Sequence, residues 1–183
     1  QPCVVIGDTR TAVVMTVPQN RKLSVIMLLV YLLASCVAAV VGAHFTALAT
    51  ITEFYAALAK PVWAPPGWLF APVWTLLYVC MSVAMWLVWK NRAKRPARAY
   101  RLARAGWWVQ LGLNAAWPVV FWLYTAGFTV FFACGVLAVV VWGFVAVMYR
   151  IFLIGCLLMV PYACWVCFAT ALSWALWRMN APL

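Results

Sequence analysis

The sequence predicts an all-α integral membrane protein built as a bundle of five transmembrane helices. Of its 183 residues, 69% are hydrophobic and only 8% are charged, whereas a soluble domain is about half apolar and about a quarter charged. So much apolar surface needs lipid as its solvent, and a backbone in lipid must pair its own polar groups as helices or a closed barrel. The apolar runs are long and lack polar alternation, which favours helices.

Five segments approach the roughly 20 residues that cross the apolar core of a bilayer. We predict transmembrane helices at residues 23–43, 68–89, 107–124, 128–149 and 155–177. These helices form a single membrane domain, residues 23–183. Residues 1–22 precede it as a tail that we expect to be disordered or a non-native start, and residues 1–14 are expected to carry no function.

The basic residues are distributed unequally between the two sides of the predicted bundle. Five crossings place eleven of the thirteen Lys and Arg on the side of the N-terminus and only Lys60 and Arg178 on the other. The positive-inside rule then puts the N-terminus in the cytoplasm and the C-terminus outside, in a bacterial cell membrane. The eleven are Arg10, Arg21, Lys22, Lys90, Arg92, Lys94, Arg95, Arg98, Arg101, Arg104 and Arg150.

A net charge of +11 could attract either nucleic acid or anionic lipid head groups. Nucleic acid is not expected, because the basic residues are not interleaved with exposed aromatic residues in a recognisable motif. Anionic lipid head groups are expected instead, at the basic run of the second loop.

The sequence offers no conventional catalytic set and no metal site. It contains only two acidic residues, Asp8 and Glu53, so catalysis by paired carboxylates is excluded. Cys164 and Cys167 form a C-x-x-C pair within a helix, but a zinc site needs about four ligands. His44 is the only histidine and is predicted at the outer end of the first helix, where solvation is the ordinary role and haem ligation the alternative.

The segment KPVWAPPGWLFAPVWTLLY, residues 60–78, carries the strongest local signal. Its prolines stop helices, and its tryptophans suit the membrane–water interface. It follows a first loop, predicted at residues 44–67, in which ITEFYAALAK can form a short helix with Thr52 as its N-cap. A loop of this length with its own structure is often a lid or binding element, with a passive tether as the alternative.

Polar and aromatic residues share helix faces in three of the predicted spans. Gln110, Asn114 and Trp117 have i, i+4, i+7 spacing, which is typical of interhelical hydrogen bonding or of a pocket wall. Trp74 and Tyr78 lie one turn apart in the second helix. In the fifth helix Tyr162, Trp165 and Ala169 lie near one stripe, and the small residue leaves a concavity. Such walls suit a flat apolar ligand, and ordinary core packing is the alternative.

Three strings of the sequence form a combined pattern: EFYAALAKPVWAPPGWLFAPVWTLLY (53–78), QLGLNAAWPVVF (110–121) and VPYACWVCFATALSWALWRMN (160–180). Together they resemble the translocator protein family, whose bacterial members are called tryptophan-rich sensory proteins and whose animal members are called peripheral-type benzodiazepine receptors. The chain departs from the family pattern at Phe54, Ser173 and Trp174. The resemblance implies a five-helix bundle, often a homodimer, with a pocket at the outer end closed by the first loop.

The resemblance also implies a ligand class and a set of contacts. Family members bind porphyrins such as protoporphyrin IX, haem, isoquinoline and benzodiazepine-type drugs and, in animals, cholesterol. No cofactor is required, and a porphyrin or haem is the ligand. With the residues chosen by spacing, the predicted ligand-binding set is Trp74, Tyr78, Gln110, Asn114, Trp117, Tyr162, Trp165 and Ala169. The predicted lid consists of Glu53, Phe54, Tyr55, Pro61 and Trp63.

Three functions fit this site. The first is a receptor or sensor that binds a tetrapyrrole and regulates tetrapyrrole or stress responses. The second is an enzyme that degrades bound porphyrin in light and oxygen with Trp74 and Trp165 as its reactive groups. The third is a transporter of porphyrin or sterol-like ligands, against which the lack of intramembrane charge argues, since ion-coupled transport uses such charges.

Overall fold

The computed structural model describes residues 20–51, 57–124 and 127–180, and these residues form five long helices and no strand. The predicted all-α fold with five helices is therefore confirmed. The helices are α1 (Arg21–Ile51), α2 (Phe70–Lys90), α3 (Ala97–Tyr124), α4 (Phe128–Ile151) and α5 (Leu153–Asn180). Short 3₁₀ turns at Gly67–Leu69 and Arg92–Lys94 precede α2 and α3.

The helices form a closed ring in the order α1, α2, α5, α4, α3 and back to α1. Methionines fill much of its centre: Met81, Met85, Met148 and Met159 are completely buried. The ring has two ends, which we name by the segments they carry. The loop end carries residues 57–69, and the basic end carries residues 91–96 between α2 and α3.

Four of the helices, α1, α2, α4 and α5, are long and apolar enough to cross a membrane on composition alone. The fifth, α3, is 28 residues long but less apolar, because it begins with Arg98, Arg101 and Arg104 and carries Gln110 and Asn114 further along. It runs between α1 and α4 as a full member of the ring.

Two helices are about ten residues longer than the sequence predicted, whereas the ends of the other three lie within three residues of the predicted ones. Helix α1 continues to Ile51 instead of ending at residue 43, so His44 lies within the helix and the first loop starts later than expected. Helix α3 begins at Ala97 instead of residue 107, because ARAYRLARAG has good helix formers and follows Pro96, which starts the helix. The predicted short helix that starts at Thr52 lies mostly outside the described residues.

The turn between α4 and α5 consists of one residue, Phe152, in an extended conformation. Its N–H donates to the carbonyl of Met148 (2.7 Å), and its own carbonyl accepts from Cys156 N–H (3.0 Å). Next to this turn the side chain of Met148 packs closely on Gly155, where a Cβ would lie 2.8 Å from Cε of Met148. The connection between α4 and α5 is therefore short, and its sequence, YRIFLIG (149–155), is largely apolar.

Candidate functional site

A chain of two hydrogen bonds joins three helices inside the bundle. Tyr78 on α2 donates its hydroxyl to Oδ1 of Asn114 on α3 (3.4 Å), and Nδ2 of Asn114 donates to the hydroxyl of Tyr162 on α5 (3.0 Å). All three side chains are buried, and Tyr162 is completely so. We call these residues the amide–phenol cluster. Because its groups satisfy one another, the cluster fixes the relative positions of α2, α3 and α5.

Trp74 forms an aromatic wall beside this cluster. Its ring centroid lies 5.6 Å from that of Tyr78 and 6.3 Å from that of Tyr162, within the range of favourable aromatic pairs. Trp74 is only partly buried, whereas both tyrosines are buried. It therefore lies between the closed core and the loop end.

A second aromatic layer lies on α5 and at the start of α2. The ring of Trp165 lies 5.9 Å from that of Phe70 and 5.4 Å from that of Phe168. On α3, Trp117 pairs with Phe121 at 5.6 Å. The indole Nε1 atoms of Trp117 and Trp165 are both buried and have no hydrogen-bond partner within the described part of the chain.

Residues 57–69, which lead into α2 and which we call the covering segment, lie over this layer. The Trp63 ring lies 5.8 Å from that of Phe168 in an edge-to-face arrangement. Leu58 and Ala64 pack against Leu172 and Leu176 of α5. The segment is also tied to the end of α5, because the side-chain amide of Asn180 pairs with the backbone N–H and carbonyl of Ala59.

An open apolar cleft of about 360 Å³ lies at the edge of the second aromatic layer, between the segment before α2 and the middle of α5. Its lining residues are Pro65, Leu69, Pro161, Cys164, Trp165 and Phe168. Trp165 is the only predicted ligand-binding residue in this lining. A second apolar groove, of about 400 Å³, lies on α4 around Gly135 and contains none of the predicted residues.

The structure thus brings most of the predicted site residues to one region. Trp74 pairs with the rings of Tyr78 and Tyr162, and both tyrosines form hydrogen bonds with Asn114. Trp117 and Trp165 carry buried indole N–H groups without a partner among the described residues. Ala169 is partly buried, one turn beyond Trp165. Gln110 is completely buried, and its amide has no partner among the residues described.

The predicted lid residues divide into two groups. Pro61 and Trp63 are described: the Pro61 carbonyl accepts a turn hydrogen bond from Ala64 N–H (2.9 Å), and Trp63 contacts α5. Glu53, Phe54 and Tyr55 lie outside the described residues.

Several residues at this end of the bundle were not among the predicted site residues, notably Phe70, Phe168 and Asn180. Phe168 follows Trp165 by three residues, and that helical spacing was a usable signal. Asn180 gave none, because its partner is the backbone of a residue 121 positions away.

The fold and these contacts define a class: a multi-pass α-helical membrane protein with an aromatic and amide cluster near a covered end of the bundle. The family model described as TspO/MBR family matches residues 30–178, and the chain belongs to this family.

Several curated relatives agree with this assignment. The chain is 30% identical over 163 residues to the tryptophan-rich protein TspO of Archaeoglobus fulgidus, covering 87% of this chain and all of the relative. It is 33% identical over 135 residues to the translocator protein of Homo sapiens, covering 70% and 75% of the two chains. It is 34% identical over 132 residues to a tryptophan-rich sensory protein of Cereibacter sphaeroides, covering 70% and 77%. Membership supports a role as a membrane sensor or receptor.

Proposed function

We propose that the protein is a membrane receptor that binds a porphyrin-type ligand, such as protoporphyrin IX or haem, beside the amide–phenol cluster and thereby regulates tetrapyrrole or stress responses. The same site would accept isoquinoline or benzodiazepine-type ligands. The observation that carries the proposal is the convergence of Trp74, Asn114 and Tyr162 from three different helices.

The chemistry of the site supports a flat, mostly apolar ligand. Trp74, Trp117 and Trp165 offer large aromatic faces, and the covering segment adds apolar contacts from Leu58 and Ala64. The unpaired indole N–H groups of Trp117 and Trp165 are available to the polar atoms of such a ligand. Few convergent polar groups within apolar walls are typical of small-molecule sites.

Ligand binding requires the covered end to open. The amide–phenol cluster is buried, and the cleft beside Trp165 stops short of it. The segment before α2 is held by the Asn180–Ala59 pair and by the contact of Trp63 with Phe168. We infer that release of these contacts admits the ligand from the loop end.

The charge distribution supports an orientation with the basic end in the cytoplasm of a bacterial cell. Cationic side chains there lie over aromatic rings: the Arg92 guanidinium is 3.9 Å from the Trp89 ring centroid, and the Lys90 ammonium is 4.7 Å from that of Trp86. Such pairs suit the head-group layer, where anionic lipids add further attraction.

A homodimer is also proposed. Gly112 and Ala116 form a small-residue pair on α3, and both are exposed in the single chain. A Cβ added at Gly112 would meet nothing within 4 Å, so this face has room for the close approach of a second helix.

The test is a titration of the purified protein with protoporphyrin IX, followed by tryptophan fluorescence. The wild type is compared with Trp74→Phe/Trp165→Phe and with a matched control, Trp68→Phe/Trp108→Phe, which removes two exposed tryptophans. We expect at least tenfold weaker binding in the first double variant only. Unchanged binding in that variant contradicts the proposed site.

A second candidate, light- and oxygen-dependent degradation of the porphyrin, is favoured by one observation. Trp74 lies close to two tyrosine rings, and such side chains can donate electrons to a photo-excited macrocycle, with oxygen as the final oxidant. Illumination of the complex in air tests it. A new absorbing product that disappears in Trp74→Phe, with binding retained, supports the enzyme; absence of any product supports the receptor alone.

A further inference from the structure

The side-chain amide of Gln110, near the middle of α3, is buried without a hydrogen-bond partner among the described residues. The residue is 0% exposed, and neither Oε1 nor Nε2 forms a hydrogen bond there. Its neighbour one turn away, Asn114, uses both its oxygen and its nitrogen within the amide–phenol cluster. Buried polar groups are nearly always paired, and an unpaired amide destabilises the folded protein. The amide of Gln110 therefore points to a partner that the described part of the chain does not supply.

The position of Gln110 connects it to the proposed site. Gln110, Asn114 and Trp117 lie on one face of α3 and span about 10 Å along the helix axis. At the other end of this row the indole N–H of Trp117 is buried and finds no partner in the segments that the structure describes. A ligand that lies along this face would meet an aromatic ring near the loop end and an unpaired amide deeper in the bundle.

The chemistry of the amide defines the group that it can bind. A glutamine side chain offers an acceptor and two donors in one plane. The complementary group is also planar and carries both a donor and an acceptor, as a neutral carboxylic acid or an amide does.

The surroundings select the neutral form of such an acid. The buried polar residues of the described segments are all uncharged, so no buried cation balances a carboxylate. They are Ser24, Ser35, Ser82, Gln110, Asn114 and Ser173.

We propose that Gln110 binds the carboxylic acid or amide end group of the ligand, while the apolar body of the ligand lies against Trp117 and Trp165. The proposal rests on the proposed function, because it assigns the polar end of the same ligand. In the closed bundle neither cleft reaches Gln110. The unpaired amide therefore destabilises the ligand-free protein, and the ligand offsets this penalty when it binds.

The test combines two measurements on Gln110→Met, which keeps an unbranched side chain and removes the polar atoms. In the absence of ligand we expect Gln110→Met to raise the melting temperature by about 3 °C or more, because an unpaired polar group is lost. For binding, the probes are protoporphyrin IX and its dimethyl ester, which lacks the acid protons. We expect the wild type to prefer the free acid at least tenfold and Gln110→Met to bind the two equally.

The control is Met85→Leu, a change at an equally buried position on α2. It should leave the ratio of acid to ester affinity at the wild-type value. A Gln110→Met variant that melts below the wild type would show that the amide is paired internally, by trapped water or by the protein, and would overturn the proposal.

Binding of both probes with an unchanged affinity ratio would overturn this assignment alone. Failure of both probes to bind the wild type would overturn the proposed function and this assignment with it.

Discussion

The side-chain amide of Asn180, the last residue of α5, forms two hydrogen bonds with the backbone of Ala59. The Ala59 N–H donates to Oδ1 of Asn180 (2.8 Å), and Nδ2 of Asn180 donates to the Ala59 carbonyl (2.9 Å). Nδ2 also donates to the carbonyl of Leu176, one turn back on α5, which orients the amide. This pair holds the covering segment against the loop end of the bundle, where the proposed site lies.

Replacement of Asn180 by Ala should loosen the covering segment without unfolding the bundle. Two neutral hydrogen bonds contribute about 1–3 kcal/mol, so we expect amide hydrogen exchange at residues 57–64 to accelerate about tenfold. Mass-spectrometric hydrogen exchange measures this directly. The matched control is Asn91→Ala, which removes an amide that donates to the Leu87 carbonyl at the basic end. Equal protection of residues 57–64 in the wild type and in Asn180→Ala would contradict the role of this pair.

The two tyrosines of the amide–phenol cluster should differ in their contribution to stability. Tyr162 accepts from Asn114 at 3.0 Å and is completely buried, whereas Tyr78 donates to Asn114 at the long distance of 3.4 Å. We expect Tyr162→Phe to reduce the free energy of unfolding by about 1–3 kcal/mol and Tyr78→Phe by less than about 1 kcal/mol. Thermal unfolding in detergent gives the comparison. An equal loss of unfolding free energy in the two variants, or a larger loss in Tyr78→Phe, would contradict the hydrogen bonds described for the cluster.

Substitution of two glycines of α3 gives a matched pair of variants that tests how closely the helices of the ring pack. A Cβ at Gly106 would lie 2.8 Å from Cδ2 of Phe144 on α4, whereas a Cβ at Gly112 would meet nothing within 4 Å. Gly106→Ala should therefore destabilise the protein by about 1–3 kcal/mol. Gly112→Ala should be neutral or stabilise by up to about 1 kcal/mol, because alanine is the better helix former. Thermal unfolding of monomer in detergent distinguishes them, and a stable Gly106→Ala variant would contradict the close approach of α3 to α4.

The orientation in the membrane can be tested with two single cysteines in a background without the native ones. Val62 is fully exposed at the loop end, and Ala93 is exposed between Arg92 and Lys94 at the basic end. We expect a membrane-impermeant maleimide to label Val62→Cys on intact bacterial cells and Ala93→Cys only after permeabilisation. The opposite pattern would contradict the placement of the basic end in the cytoplasm.

Composition and helix periodicity were sufficient to predict the five helices and the facing residues of the cluster. Long apolar runs specify membrane helices, and the spacing of Gln110, Asn114 and Trp117 places them on one face whatever the neighbouring helix is. The early start of α3 was missed because the prediction counted only the apolar part, while a helix can continue through a run of Ala, Leu and Arg outside the apolar core.

Other features depend on contacts between distant residues, and local sequence could not supply them. The Asn180–Ala59 pair joins two residues that are 121 positions apart in the chain and meet at the loop end of the bundle. The unpaired state of Gln110 depends on which side chains surround it after packing, whereas its position on the inner face of α3 was predictable.

The decisive measurement for the proposed site is an experimentally determined structure of the protein with protoporphyrin IX bound. We expect the macrocycle to lie at the loop end, against Trp74, Trp117 and Trp165, with the covering segment displaced or closed over it. A macrocycle bound instead in the apolar groove of α4 around Phe132, Gly135 and Val139 would contradict the proposed site.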